Sequence, residues 1–327
     1  MEVANMALQP LHALRSISPE LAHSPTRLDR PAFLMSFPFS LSTGVANNAW
    51  MKEMPVKDRQ VDLRKAYNQF LQVYGFMASE GLVYLMPSPS SCGLQDLVYT
   101  ANLGAILSHL PDRDVAVISN YSSAPRVDEA TLGLDFFKAM GYECHVPPTK
   151  FEGEAELKHL YDNVYIGGYG ERTELETFEW MERNFDMKVI KVELVDEHLY
   201  HLDCSVFPVT SEDTMVCTSM FEREEIAELE KYTNVIDVSE DDAFSGICNS
   251  VRLSNTIMNG SNIHELKVGT EDYTLELKKN RRLEDIANEL AFEVSYFNLS
   301  EFLKSGALLS CMVMHLNRYS YAFKLIS

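Results

Sequence analysis

Val61-Asp-Leu-Arg-Lys-Ala-Tyr-Asn-Gln-Phe70-Leu-Gln-Val-Tyr-Gly-Phe-Met-Ala-Ser-Glu80-Gly-Leu-Val-Tyr-Leu-Met86 is the stretch on which the fold turns. Leu63, Tyr67, Phe70, Tyr74 and Met77 recur at the three- and four-residue steps of one helix face. Gly81 then leads into an apolar, strand-like run that Pro87 ends. The spacing predicts a helix followed by a strand. The same order recurs at residues 129–140 leading into 142–146, at 171–185 leading into 187–194, at 223–231 leading into 234–238, and at 283–292 leading into 293–297. Further strands are predicted at residues 32–38, 97–100, 163–166, 214–217, 256–258 and 311–316. Five similar strand-and-helix units imply an α/β repeat architecture closed on itself. No Gly/Ser linker or charge block separates them, so one domain is expected.

The 327 residues are 46% hydrophobic, enough for a sizeable core. No run approaches the roughly 18 to 20 apolar residues of a membrane span. A formal charge of −20 argues against nucleic acid or an anionic membrane as partner, since both need basic patches. A small cationic substrate is compatible with it, and so is a solvated acidic surface. Cys92, Cys144, Cys204, Cys217, Cys248 and Cys311 are scattered, without CxxC pairs or zinc spacing. They suggest reduced thiols in a cytosolic setting and no metal. Residues 1–31 contain Arg15, Arg27 and Arg30 beside Glu2, Glu20 and Asp29, with no continuous apolar segment. They read as an N-terminal extension.

Within Val195-Asp-Glu-His-Leu-Tyr-His-Leu-Asp-Cys-Ser-Val-Phe-Pro-Val209, His201 and Asp203 lie in an apolar, strand-like run. Residues two apart on a strand share a face about 6.5 to 7 Å apart, so the pair can meet one ligand. A hydrogen-bonded core histidine beside an edge aspartate is the alternative. On the strand reading, Cys204 points to the opposite face.

No GxGxxG, Walker lysine motif or GxSxG elbow is present, so nucleotide cofactors and serine-hydrolase chemistry have no support. Asp96, Asn102, Glu152 and Cys311 stand at predicted element ends or loops. Singly, each has a structural explanation: Glu152 with Glu154 and Glu156 as a solvated acidic face, Asn102 as a turn residue, Cys311 as a small core residue. Together they supply a thiol, an imidazole, carboxylates and an amide. A thiolate attacking an electron-poor carbon needs an acid for the leaving group and acceptors for a substrate cation.

These residues carry a family resemblance. Asn47-Asn-Ala-Trp-Met51, Gly93-Leu-Gln-Asp-Leu-Val-Tyr-Thr-Ala-Asn102, Phe151-Glu-Gly153, Gly168-Tyr-Gly-Glu-Arg-Thr-Glu174, Tyr200-His-Leu-Asp203, Cys248-Asn249 and Cys311 occur in one order. In that order and spacing the chain resembles the amidinotransferase and arginine deiminase superfamily of guanidino-modifying enzymes, the penteins, and most of all their arginine dihydrolase branch. The resemblance implies a five-bladed α/β propeller of ββαβ-type units. It also implies a catalytic domain over 32–316, with 317–327 as a C-terminal tail.

Carried over by position, the resemblance makes Cys311 the nucleophile, His201 the acid and then the base, and Glu152 the group that orients the imidazole. Asp203 and Asn102 match positions that hold the guanidino nitrogens, with Asp96 a nearby support. Arg126 and Arg172 match a clamp on the substrate carboxylate, and Asn48 a loop residue near the amino-acid end. The implied activity is a cofactor-free hydrolysis of the guanidinium group of free L-arginine through a covalent thiouronium adduct, releasing ammonia and ending at ornithine. An arginine deiminase giving citrulline, an amidinotransferase and a non-catalytic arginine-binding homologue are the alternatives. Asn102 discriminates among them, because deiminases commonly carry an aspartate there and an amide suits a neutral ureido group. The loop Ser305-Gly-Ala-Leu-Leu-Ser310 is bulkier than the glycine-rich loop common in the branch, placing Leu308 and Leu309 near the cysteine. A small guanidino compound is the expected partner, and a homo-oligomer is allowed.

Overall fold

The computed structural model describes residues 24–88 and 93–322; residues 1–23 of the extension, 323–327 of the tail and Cys92 lie outside the described residues. In chain order come β1 (Ala32–Ser36), the short α1 (Ala49–Glu53), α2 (Leu63–Glu80) and β2 (Leu82–Met86). The second unit is β3 (Gly104–Ile106), β4 (Val115–Ile118), α3 (Val127–Ala139) and β5 (Glu143–His145), and the third is β6 (Leu157–Tyr161), β7 (Val164–Gly170), α4 (Leu175–Phe185) and β8 (Lys188–Leu194). The fourth is β9 (Val206–Pro208), β10 (Asp213–Val216), α5 (Arg223–Leu229) and β11 (Asn234–Asp237). After α6 (Glu240–Phe244), the fifth is β12 (Ser250–Leu253), β13 (Thr256–Gly260), α7 (Glu271–Glu289) and β14 (Glu293–Phe297). The chain ends with α8 (Ser300–Leu303), β15 (Met314–His315) and α9 (Tyr319–Ala322).

Four units build a three-stranded sheet in the same way. The first strand pairs antiparallel with the second, and a helix returns the chain to a third strand parallel to the second. A parallel pair needs such a crossover, which fixes the ββαβ order. The remaining sheet is made from both ends of the chain: β1 pairs parallel with β2, and β15 joins it antiparallel with Phe33 opposite His315. That pairing closes the five blades into a ring, the α/β propeller expected from the sequence.

The helices bury apolar faces against their sheets. In α2, Asp62 caps the N-terminus by accepting from Lys65 N at 3.1 Å. Phe70, Val73 and Met77 of this helix pack with Phe33 and Met35 of β1. Full burial of one such side chain contributes about 1.5 to 3 kcal/mol. No helix among the described residues is long and apolar enough to cross a membrane.

Several sequence expectations are corrected. Residues 97–100 are not a strand: Tyr99 N bonds to Asp96 O at 2.9 Å and Leu103 N to Thr100 O at 3.0 Å, forming turns and a 3-10 segment over Thr100–Asn102. Residues 311–316 are a 3-10 turn, Ser310–Met312, followed by the two-residue β15. His201 is likewise not on a strand but caps the 3-10 turn Leu202–Cys204. Each is a buried apolar run, and a short buried turn cannot be told from a strand by its apolar pattern. Helix α7 begins at Glu271, with Thr270 as its cap, where the sequence reading began at 283, because its first turns are charged.

Candidate active site

One end of the propeller holds a cavity of about 430 Å3. Cys311, His201, Glu152, Asn102, Asp96, Arg126, Arg172 and Asn48 all line it. Asp203 does not, but its Oδ2 lies 3.8 Å from the Cys311 Sγ. The residues therefore converge from segments spread between Asn48 and Cys311, carried by 3-10 turns and loops.

Two turns create the centre. The chain passes 3-10 segments over Thr100–Asn102 and Gly153–Ala155 against each other, so that Asn102 Nδ2 donates to Glu152 O at 3.4 Å. Gly153 makes this approach feasible. Its φ is +74°, and a Cβ there would overlap Ala101 O and stand 2.7 Å from the Asn102 carbonyl carbon. An isolated bridge between Asn120 and Phe151 anchors the strand end just before Glu152.

Glu152 is fully buried, and its Oε2 lies 2.9 Å from His201 Nε2. Burial opposes its ionisation, but the hydrogen bond and charge of His201, with Arg172 and Arg126, hold its carboxyl down at about 2. His201 Nδ1 has no hydrogen bond to the described residues, which leaves that nitrogen for a ligand.

Cys311 lies beside Asp203 and beneath Asn249, whose Nδ2 donates to Sγ at 3.4 Å. Burial, then the Asp203 charge, push its thiol up to about 12, with the Asn249 hydrogen bond opposing. Ser310 N donates to Asn249 Oδ1 at 2.8 Å and Ser310 Oγ to Asp203 Oδ2 at 2.5 Å, which fixes the loop carrying the thiol. The bulky loop residues do not obstruct it. Leu309 is fully buried in the core, and Leu308 fills a notch at Gly246, where φ is +81° and a Cβ would overlap the leucine.

Arg172 Nη2 donates to Asn47 O at 2.6 Å, Nη1 lies 3.6 Å from Glu152 Oε1, and the guanidinium sits over the Tyr200 ring at 4.8 Å. Arg126 is more committed: Nε and Nη2 meet the buried Glu129 carboxylate at 3.1 and 2.8 Å, leaving Nη1 without a described partner. The two arginines are thus unequal as anion contacts. Asp96 accepts from Asn47 Nδ2 at 2.6 Å and Gln95 Nε2 at 3.2 Å; burial raises its pKa, against Arg126. Asn48 caps α1 through Met51 N at 2.8 Å and donates to Ser305 O at 2.9 Å, joining the loop before α1 to the cysteine loop. Trp50 Nε1 donates to His198 O at 2.9 Å and ties the same helix to the loop before His201.

Cys204 corrects the sequence reading. It lines the same cavity, with Sγ 3.7 Å from Asp203 Oδ1, because the 3-10 turn replaces the strand alternation that would have turned it away. Burial, then Asp203, raise its thiol pKa well above the usual value. Sequence reasoning assigned no role to Asn47, Tyr99, Tyr200, Asn249 or Ser310. Asn47, Tyr99, Tyr200 and Asn249 stand in the motif segments and could have been found there; Ser310 carries no sequence signal beyond adjacency to Cys311. At the rim, Glu53, Glu197 and His198 bring ligand atoms within 4.8 Å of one another, an arrangement that exposed acidic groups commonly adopt without an ion.

Chemically, the cavity sets a buried thiol and an oriented imidazole among three carboxylates, Asp96, Glu152 and Asp203. Such a site favours a planar cation able to donate several hydrogen bonds.

Comparison with known proteins agrees with this geometry. The chain is 26% identical over 292 residues to the bifunctional arginine dihydrolase/ornithine cyclodeaminase AgrE of Nostoc sp., covering 87% of this chain and 38% of that protein. It therefore spans well under half of that relative. It is also 26% identical over 289 residues to the N(G),N(G)-dimethylarginine dimethylaminohydrolase of Mycobacterium tuberculosis, covering 87% of this chain and 85% of that one. The solved N-terminal domain of ArgZ, a cyanobacterial arginine dihydrolase, superposes with a TM-score of 0.75 at 24% identity, over 88% of this chain and 97% of that one. The profile of the eukaryotic N,N dimethylarginine dimethylhydrolase family matches residues 36–318. The chain belongs to that family, within the pentein superfamily whose arginine dihydrolase branch it resembles.

Proposed function

We propose that this protein is a cysteine-dependent hydrolase of the guanidinium group of free L-arginine, with residues 32–316 as its catalytic domain between the extension 1–31 and the tail 317–327. The observation that carries the reading is the convergence of Cys311, the Glu152–His201 pair and Asp203 on one buried cavity. The likeness to the Nostoc arginine dihydrolase supports the substrate.

Asp203 and the amide of Asn102 hold the guanidinium nitrogens over Cys311. The substrate cation neutralises Asp203, which removes part of the charge that disfavours the thiolate. The thiol proton passes to His201, and the sulfur attacks the guanidinium carbon. Imidazolium protonates the departing nitrogen, ammonia leaves, and a thiouronium adduct remains on Cys311. His201 then takes a proton from water, which attacks the same carbon; the carbon–sulfur bond breaks and citrulline forms. In the second round the thiolate attacks the ureido carbon. The amino group of ornithine leaves with a proton from His201, and water hydrolyses the remaining carbamoyl thioester to carbon dioxide and a second ammonia. Arg172 binds the substrate carboxylate from beside Tyr200, with Nη1 of Arg126 as the second contact. Asn48 lies near the amino-acid end, and Asp96 is a support near the guanidinium contacts. The five described cysteines are free thiols, in keeping with a proposed cytoplasmic setting.

A second reading, hydrolysis of a dimethylated arginine, is favoured by the matched family and by the mycobacterial relative. Incubation with each compound, followed by mass spectrometry, separates them. Ornithine from arginine supports the first reading, and citrulline with dimethylamine from dimethylarginine the second. No consumption of either compound sinks both.

A further inference from the structure

The axis of the propeller holds polar space on the far side of the turns that build the candidate site. Glu152 and Glu154 flank the same glycine, yet Glu152 faces the site and Glu154 faces away. Likewise Cys311 lines the site and Ser310 the space behind it. Two cavities, of about 330 and 310 Å3, share Glu154, His315 and Arg318. Between them they touch the innermost strand of every blade, β3, β6, β9, β12 and β15. The space is thus axial, bordered by the inner strands of all five blades.

Its charge runs against the composition. The chain carries −20 overall, but Lys158, Arg318 and His315 project around these cavities with one carboxylate, Glu154. That carboxylate is already committed. Its Oε1 lies 2.5 Å from His315 Nδ1, and its Oε2 accepts from His315 N at 2.7 Å. His315 is 9% exposed, and its Nε2 is buried without a hydrogen-bond partner. A buried polar group left unpaired costs about 1 to 3 kcal/mol, so such an atom marks a place where a partner belongs. Glu154 occupies Nδ1, so Nε2 is the ring nitrogen of His315 left facing the cavity. The Lys158 ammonium makes no hydrogen bond or close ion pair among the described residues, its charge acting on Glu154 from farther away. Arg318 donates from Nη2 to His159 O at 2.7 Å and rests on the Tyr321 ring, leaving its other donors uncommitted among the described residues.

We propose that this axial cavity is a binding site for a small oxyanion, an inorganic phosphate or the carboxylate of a small acid, held by Lys158, Arg318 and Nε2 of His315. Two cationic side chains on different chain segments, Lys158 and Arg318, converge with the unpartnered ring nitrogen of His315 and match the acceptor-rich surface of an oxyanion. The site is separate from the arginine cavity and does not depend on its chemistry.

Titration calorimetry of the full chain with inorganic phosphate, and in a parallel arm with acetate, at fixed ionic strength tests it. Saturable one-to-one binding of either ion is expected, and the arm that binds identifies the source. Lys158→Ala and Arg318→Ala should each weaken it by about tenfold or more, the loss of one charge-assisted hydrogen bond. Crystals soaked in selenate provide a check that needs no variant: anomalous density between Lys158 and His315 is expected. Absence of saturable binding in both arms, affinity unchanged in both variants, or selenate found only elsewhere overturns the proposal.

Discussion

The thiol of Cys311 and the carboxylate of Asp203 stand 3.8 Å apart in a buried setting, so burial and the Asp203 charge disfavour the thiolate until a cation comes between them. Burial and Asp203 together push the thiol up to about 12, which leaves it protonated at neutral pH in the free protein. Alkylation of Cys311 by iodoacetamide should accordingly be slow near pH 7 and rise with pH. Asp203→Asn should move the midpoint of that titration down. An unmoved midpoint would show that Asp203 does not control the thiol.

Glu152 Oε2 meets His201 Nε2 at 2.9 Å, the contact proposed to orient the imidazole. Glu152→Gln keeps the shape but removes the charge that supports an imidazolium. Turnover should fall by about 10²- to 10⁴-fold, the usual contribution of positioned acid–base catalysis, with arginine binding retained by calorimetry. A variant within a factor of a few of the parent rate would remove His201 from the proposed acid–base role.

Arg172 offers the less committed guanidinium of the pair. Arg172→Ala should raise KM for arginine by about 10- to 100-fold, as loss of a charged hydrogen bond implies, with a smaller change in kcat. Steady-state kinetics checks this, and an unchanged KM argues against the clamp.

In the proposed reaction, Asn102 is the residue expected to decide how far hydrolysis goes. Asn102→Asp places a further carboxylate beside the guanidinium and removes the amide donor suited to a neutral ureido oxygen. The variant should stop at citrulline, measured as the citrulline-to-ornithine ratio. Continued ornithine formation at the parent ratio would transfer that role elsewhere.

Stability should also respond to acid through Glu154. Burial opposes ionisation of this carboxyl, but the charge and hydrogen bond of His315 hold it at about 2, against 4.5 for the free group. A depressed carboxyl stabilises the fold above its unfolded pKa and loses that contribution as pH falls through its folded one; here the contribution is about 3 kcal/mol. Glu154→Gln should flatten the dependence of urea stability on pH between 4.5 and 2. An unaltered slope would refute the assignment.

The helices of the ring were legible from the sequence because their apolar residues keep a helical period against one sheet, as in Leu63–Glu80 with Phe70, Val73 and Met77. The parallel strand after each helix was legible too. The inner strands, such as Gly104–Ile106 and Val206–Pro208, are three residues long and buried, too short to show alternation. The same brevity hides the 3-10 turns under Asn102, His201 and Cys311, whose apolar runs read as strands or strand ends. The site residues were nominated through motif order, and the fold brings them to one cavity through those unread turns. Asn249 and Ser310 went without a role because their part is to hold the thiol loop, a relation visible only across 61 and 107 positions of sequence.

Cys311 is the thiol proposed to carry the substrate carbon, while Cys204 lines the same cavity. Rapid acid quench of the protein during turnover of L-arginine, followed by peptide mapping in the mass spectrometer, decides between the two thiols. The predicted result is an amidino adduct on the peptide containing Cys311, absent in Cys311→Ser and retained in Cys204→Ser. An adduct on Cys204, or undiminished turnover in Cys311→Ser, would contradict it.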